Sequence, residues 1–276
     1  MELRHEFDLA ILLRCAQMAR SSYYYYIKQL SVDKYAEVKS LITRIYHKHK
    51  GRLGYRRITI LLNKSGMHIN HKTVLRLMRI LNLKSLIRIK KYKSYKGEHG
   101  KIAPNILNRN FKALGPQQKW TTDVTEFNVQ GKKLYLSPVL DLFNQEIISY
   151  KISERADFKS VMSMVQSAVK KIKSRGEIIL HSDQGWQYQM VAYQNELIKN
   201  NVTQSMSRKG NCLDNAVMEN FFGTLKSELF YLKKYSSINE LKTEITQYIK
   251  YYNHERIKLN LNGMSPIQYR AHYNRN

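Results

Sequence analysis

Cysteine is nearly absent from the 276 residues: only Cys15 and Cys212 occur, in opposite halves and with no C-x-x-C partner. That excludes a disulfide framework and a Cys-based zinc site, and fits a reducing compartment. Long apolar runs are missing too. Ala10-Ile11-Leu12-Leu13 is typical, far short of the ~20 residues of a membrane span, so no membrane role is expected. The N-terminus carries Glu2, Glu6 and Asp8 and no apolar core, so it does not read as a secretory signal. Acids are the scarcest class that matters: 21 Asp and Glu against 47 Lys and Arg leave a net charge of +26. With 43% hydrophobic residues the chain can still build a core. An excess this large repels itself unless a polyanion sits against it, and nucleic acid is the leading candidate.

The excess is uneven. Residues 1–118 carry 25 Lys/Arg and 6 Asp/Glu, and residues 38–97 contain 17 Lys/Arg and no acid at all. A solvated helix face usually mixes signs, because i,i+4 pairs help it. Apolar spacing nevertheless predicts helices over 38–49, 55–63 and 71–81, with Ser65-Gly66 as a break and Asn70 as a cap. Helix, Gly-containing turn, helix is a helix-turn-helix pattern. It would present Lys72, Thr73, Arg76 and Arg79 from its last helix and Arg56 and Arg57 from the preceding one. A short helical segment fills 1–30 and includes Tyr23-Tyr24-Tyr25-Tyr26, suited either to packing or to stacking on DNA. The helix-turn-helix domain is expected over 31–83 and a basic linker over 84–115.

From Trp120 the period changes. Strands are expected over 120–127, 134–143 and 146–152, with a tight Asn144-Gln145 turn between the last two. Then follow a helix over 157–173, a buried strand over 177–181, a helix over 190–199, a strand over 202–206 and a long helix over 214–232. Strands and helices in this order make an α/β sheet with helices on its faces. Helices over 238–252 and 266–272 close the chain.

Three acids in this half are badly placed for solvent. Asp123 falls inside the first strand, Asp183 directly follows the buried one, and Glu219 sits in the long helix. Carboxylates so placed need a partner, and Mg²⁺ favours a few carboxylate oxygens completed by water and phosphate. Fifty-nine residues separate the aspartates and 35 separate Asp183 from Glu219.

This spacing and its flanks resemble the D,D,35,E signature of retroviral integrases and of insertion-sequence transposases with an integrase-like core. The match is to those made as the second of two overlapping frames. The blocks are Trp120-Thr121-Thr122-Asp123-Val124-Thr125, His181-Ser182-Asp183-Gln184-Gly185, 207–219 around Asp214-Asn215, 221–228 around Lys226, and Tyr252-Asn253-x-x-Arg256. The resemblance implies a ribonuclease-H-like core with a mixed five-stranded sheet flanked by helices over 116–235. A small all-α helix-turn-helix domain would precede it and a helical extension over 236–276 would follow. It implies catalysis by Asp123, Asp183 and Glu219 through two Mg²⁺ ions, with Mn²⁺ able to substitute. It also implies contact between Lys226 and the terminal nucleotides, and DNA gripped by Arg208, Lys209 and Arg256. His181 is read as orienting a carboxylate, and Asn211 and Asn215 as helix caps, with Asn215 lying behind the catalytic acids.

The partners implied are the inverted-repeat ends of a mobile element and a target duplex, engaged by a dimer or higher oligomer in the bacterial cytoplasm at the nucleoid. The reaction implied is cleavage to a 3′-OH and strand transfer, through branched and circular intermediates, with an upstream-frame product as fusion partner or regulator. Two other readings fit parts of the sequence: a non-catalytic DNA-binding regulator, and a structure-selective nuclease that cuts without joining.

Overall fold

Apolar residues at helical spacing organise the first unit of the chain, Met1–Lys84; a second unit is Ser85–Asn276. The computed structural model describes residues 5–30, 33–86, 102–173, 176–208 and 212–275. In the first unit the helices are α1 (Leu9–Cys15), α2 (Arg20–Leu30), α3 (Ala36–Lys48), α4 (Tyr55–Lys64) and α5 (His71–Ile80). Val38 and Ile42 of α3 meet Leu53, Ile58 and Leu62 and then Val74, Leu77 and Met78 of α5 in one small core. The turn between α4 and α5 depends on Gly66, at φ +86°, a conformation only glycine adopts without strain. Asn70 then caps α5, its side chain accepting from the Lys72 amide at 2.8 Å. The buried stripe of α5 is 74, 77 and 78, and Leu75 beside it is half-buried.

The second unit is a mixed sheet built from β1 (Lys119–Thr122), β2 (Thr125–Val129), β3 (Lys132–Asp141), β4 (Ile147–Ser153), β5 (Ile178–Ser182) and β6 (Val202–Met206). β1 and β2 both pair antiparallel with the long β3, Trp120 opposite Asp141 and Val129 opposite Lys132. They therefore form one line along β3, interrupted at Asp123-Val124. The strand expected over 120–127 is two strands, and Asp123 lies in the break, not inside a ladder. The sheet has five lines in the order β4, β3, β1/β2, β5, β6, with β1–β5 and β5–β6 parallel.

Two helices cover each face. α8 (Ala216–Glu228) and α9 (Ile238–His254) pack Phe221, Leu225, Ile245 and Tyr248 against Leu134, Leu136 and Leu140. On the opposite face α6 (Phe158–Val169) and α7 (Val191–Lys199) pack Met164, Val165, Tyr193 and Leu197 against Trp120 and Leu180. Because α9 shares the core with the sheet, residues 236–276 are not a separate extension; α10 (Pro266–Tyr273) ends the chain. The β3–β4 connection is longer than the expected two-residue turn, since Asp141 accepts from the Phe143 amide through its carboxylate and from the Gln145 amide through its carbonyl.

The expected linker also needs correction. Residues 87–101 lie outside the described residues, but 103–112 are built into the second unit. The Ile106 and Leu107 amides donate to Ser205 Oγ at 3.0 and 3.1 Å, Leu107 is buried, and Lys119 Nζ donates to the Asn110 and Lys112 carbonyls.

The first unit's small core makes a direct test. Leu77→Ala should destabilise that unit by about 2–5 kcal/mol and Leu75→Ala by clearly less, measured by urea denaturation. Equal losses would mean that α5 turns a different stripe inward.

Candidate active site

Strand register brings the two aspartates together. In the parallel β1–β5 pair Lys119 stands beside Ile179 and Thr121 beside His181. Both aspartates come just past the last residue of their strands, two residues beyond that register's last pair, and the charge of Asp183 is felt at Asp123. Each is held by a nearby amide: Asp123 Oδ1 accepts from Val124 at 2.7 Å and Asp183 Oδ1 from Gly185 at 2.9 Å. A Cβ added at Gly185 would meet the Gln187 side chain at 2.6 Å and Asp183 Oδ1 at 2.9 Å, so a larger residue here would push on both.

Glu219 arrives on the first turn of α8, and that helix start is tied to β1 by Asn215. Thr121 Oγ donates to Asn215 Oδ1 at 2.5 Å, and Asn215 Nδ2 donates to the Thr122 carbonyl at 3.3 Å. Asn215 is therefore a strut from the helix start to the residues just before Asp123; it makes no side-chain capping bond. Lys226 lies seven residues after Glu219, about two turns, on the same face. It is half-buried, with Nζ 5.3 Å over the Phe127 ring.

The electrostatics record this convergence. Burial, and then the charge of Asp183, push the Asp123 carboxyl well above the usual carboxylate range; Glu219 adds to the push, while the Val124 amide and the Lys226 ammonium oppose it. Burial also raises Asp183, against the Gly185 amide. Half-buried carboxylates set close together, one of them raised by the charge of its neighbours, hold a negative charge that hard divalent cations would neutralise. Among the described residues no three His, Cys, Asp or Glu side chains close into a cage for an ion. The donor set fits a hydrated cation whose shell is completed by water and phosphate oxygens, not an all-protein site.

Other expected site residues stand elsewhere. His181 does not orient a catalytic carboxylate: its Nδ1 lies 2.9 Å from Ser205 Oγ, its cross-strand neighbour on β6, and burial lowers its pKa to about 4. Arg256 is not a DNA contact. It is buried, its guanidinium pairs with Glu228 at 2.7 to 3.2 Å, and Tyr248 OH donates to the same carboxylate at 2.9 Å. Tyr252 is buried packing, and Asn253 clasps the Ile147 backbone of β4 through both amide atoms. Arg208 is half-exposed but held by Asp214, with Nε and Nη2 each 3.0 Å from its oxygens. Lys209 and Asn211 lie outside the described residues. In the first unit Lys72, Arg76, Arg79 and Arg56 are exposed and Arg57 is half-buried; Arg76 lies over Tyr35 and Arg56 over Tyr55.

Asp214 is the residue that sequence reasoning missed. It is fully buried and accepts from Asn105 Nδ2 and Arg109 Nε besides Arg208, whose hydrogen bond is the main reason its carboxyl stays far below the usual range. Its signal was present: it is the one acid between Glu196 and Glu219, six residues after an arginine.

Residues 113–212 and 219–273 each match a family described as integrase core domain, and residues 34–91 match an HTH-like domain. The chain is 57% identical over 270 residues to the putative transposase InsK for insertion sequence element IS150 of Escherichia coli (strain K12), covering 98% of this chain and 95% of that protein. It is 52% identical over 208 residues to an uncharacterized transposase-like protein of Haemophilus influenzae, covering 75% and 96%. A solved structure of the simian T-cell lymphotropic virus intasome with the PP2A regulatory subunit B56 gamma aligns with TM-score 0.47 and 14% identity, over 83% of this chain and 74% of that one.

The Glu228–Arg256 pair separates a structural from a DNA-binding arginine. Arg256→Ala should cost about 3–5 kcal/mol in urea denaturation, because it strands a buried carboxylate. Replacing both charges (Glu228→Leu with Arg256→Met) should recover much of that loss. Unchanged stability with weakened DNA binding would restore Arg256 to the DNA surface.

Proposed function

Because the chain belongs to the insertion-sequence transposases with an integrase core, a ribonuclease-H-like α/β fold, we propose that it cleaves the inverted-repeat ends of its element to expose 3′-OH groups and joins these to a second strand. The observation that carries this reading is the parallel β1–β5 pairing with Asp123 and Asp183 at the ends of its strands, and Glu219 brought to them by the Asn215 strut. Asp123, Asp183 and Glu219 would hold two Mg²⁺ ions, or Mn²⁺ in their place, which supply a polarised attacking water or 3′-hydroxyl and charge neutralisation at the leaving oxygen. Asp123, whose carboxyl feels both other acids, is the residue suited to serve both ions. Lys226, steadied on the Phe127 ring, would set its ammonium against the phosphate next to the scissile bond.

The exposed Lys72, Arg76 and Arg79 of α5, with Arg56 and Arg57 of α4, form the face proposed to read the repeat duplex. Arg208 and Lys209 would add phosphate contacts in the second unit. Joining two ends calls for at least two copies on the DNA, and a product of the upstream frame is proposed to act with this chain, at the nucleoid.

Asp123→Asn, Asp183→Asn and Glu219→Gln keep side-chain volume and remove charge. Each should cut cleavage and joining by several orders of magnitude in Mg²⁺ while repeat-end binding in a gel-shift assay stays near wild type. Cleavage retained in any one removes that residue from catalysis. Cleavage without joining in the wild-type protein would favour a hydrolytic nuclease.

For Lys226 the comparison is with Lys242, an exposed lysine of α9. Lys226→Ala should cut repeat ends at least tenfold more slowly, since small displacements of a reacting phosphate cost up to about a hundredfold in rate. Lys242→Ala should cut at the wild-type rate, and equal rates for the two variants would return Lys226 to the surface.

A further inference from the structure

The turn that follows Asp183 leaves one large side chain in water. Of the two tryptophans in the chain, Trp120 is fully buried, whereas Trp186, three residues after Asp183, is 52% exposed. Tryptophan is highly buried on average, so an indole held out here needs a reason. Its backbone is fixed. The Gly185 amide donates to Asp183 Oδ1 at 2.9 Å, the Tyr188 amide to the Gly185 carbonyl at 3.0 Å and the Gln189 amide to the Trp186 carbonyl at 3.1 Å. Gln184 Nε2 ties the same turn to the Ser207 carbonyl at 3.0 Å. The short helical turn Trp186–Tyr188 thus presents the indole from a rigid base, while Tyr188 fills the core beneath. Among the described residues no aromatic ring or cation packs on the indole.

Three residues of chain reach at most about 11 Å, and the bond from Gly185 back to Asp183 shortens that reach. Successive nucleotides of a duplex strand rise ~3.4 Å each, so the indole stands within about three base steps of a phosphate held at the carboxylates. Surplus positive charge draws a strand to the site but does not fix its bases. A base beside a break in the backbone has a face free of its stacking neighbour, and every base offers that face to an aromatic side chain whatever its identity.

We propose that Trp186 is a DNA-binding residue of the active site: its indole stacks on the nucleobase flanking the scissile phosphate and holds the strand in place. The proposal rests on the reading of Asp123 and Asp183 as the reacting centre. The base belongs to the element end or to the target strand, with the same chemistry in either case. Val191 and Ile198 of α7 are exposed as well, which makes a second copy of the chain the competing occupant.

Trp186→Leu keeps apolar bulk and removes the stacking face; Trp186→Phe keeps a smaller one. Tryptophan emission is read first, on the full chain without divalent metal and with acrylamide as quencher. Trp120 is already shielded, so the quenched signal reports Trp186. Bound DNA should protect it. With Mg²⁺ and DNA below saturation, Trp186→Leu should lose about 5–150-fold in rate, the range of one base stack, with Trp186→Phe between it and wild type. Loss in cleavage and joining alike, with protection by the repeat-end duplex, assigns the base to the element end. Loss in joining alone, with protection only once target duplex is added, assigns it to the target strand. Acrylamide reaching the indole equally with both duplexes bound, shielding that follows protein concentration without DNA, or a Trp186→Leu variant that cuts and joins at the wild-type rate each overturns the proposal. Asp183→Asn is the reference: if it still cleaves, the reacting centre lies elsewhere and the proposal falls with that reading, whereas an inactive Asp183→Asn beside a fully active Trp186→Leu removes the stacking alone.

Discussion

Two half-buried carboxylates set close together repel, and the strands and helix around them in the second unit hold them there. Backbone brings them near: β1 and β5 pair in parallel with Thr121 beside His181, and Asp123 and Asp183 follow at the ends of those two strands. Interrupting the strand at Asp123-Val124 matters for the same reason, since it releases Asp123 from the ladder and lets its own neighbour's amide take one oxygen. The helix bearing the third acid cannot drift, because Asn215 fastens it to the residues immediately before Asp123.

Behind this stands a set of ion pairs that do not touch the chemistry. Asp214 gathers two arginines and an asparagine from two stretches of chain, 105–109 and 208, while Glu228, Arg256 and Tyr248 join the far end of α8 to α9. A buried pair such as Glu228–Arg256 contributes little net stability over an apolar substitute but strongly penalises losing one partner. The effect of these ion pairs here is to fix where α8 starts and ends, and so the rotation that sends Glu219 and Lys226 to one side.

The candidate site was legible because its chemistry has few substitutes. Three acids at strand and helix ends, at a fixed spacing, are hard to explain without a common charge to neutralise. Patterns of apolar residues placed most elements, and β6 and α9 begin where the spacing indicated. What failed to show was direction. An arginine in the terminal motif looks the same in sequence whether it meets a phosphate or a buried glutamate, and only packing against Glu228 decides for Arg256. Likewise a histidine beside a site acid reads in sequence as orienting a carboxylate, but the partner of His181 Nδ1 is its cross-strand serine, Ser205. The linker was misjudged because a polar, weakly periodic run can lie flat on a sheet when a single leucine, here Leu107, is buried beneath it.

That run bears on how such chains can be recombined. Residues 103–109 are stitched to Ser205 and Asp214, so part of the polypeptide leading into the catalytic fold is already one of its structural members. A DNA-reading head could be exchanged between relatives only at a seam no later than Ile102. A crossover closer to the first strand would import a foreign strap over β6 and unsettle the strut and ion pairs beneath it. Shuffling within this family is thereby confined to one narrow stretch of chain, set by mechanics and not by where the conspicuous motifs begin.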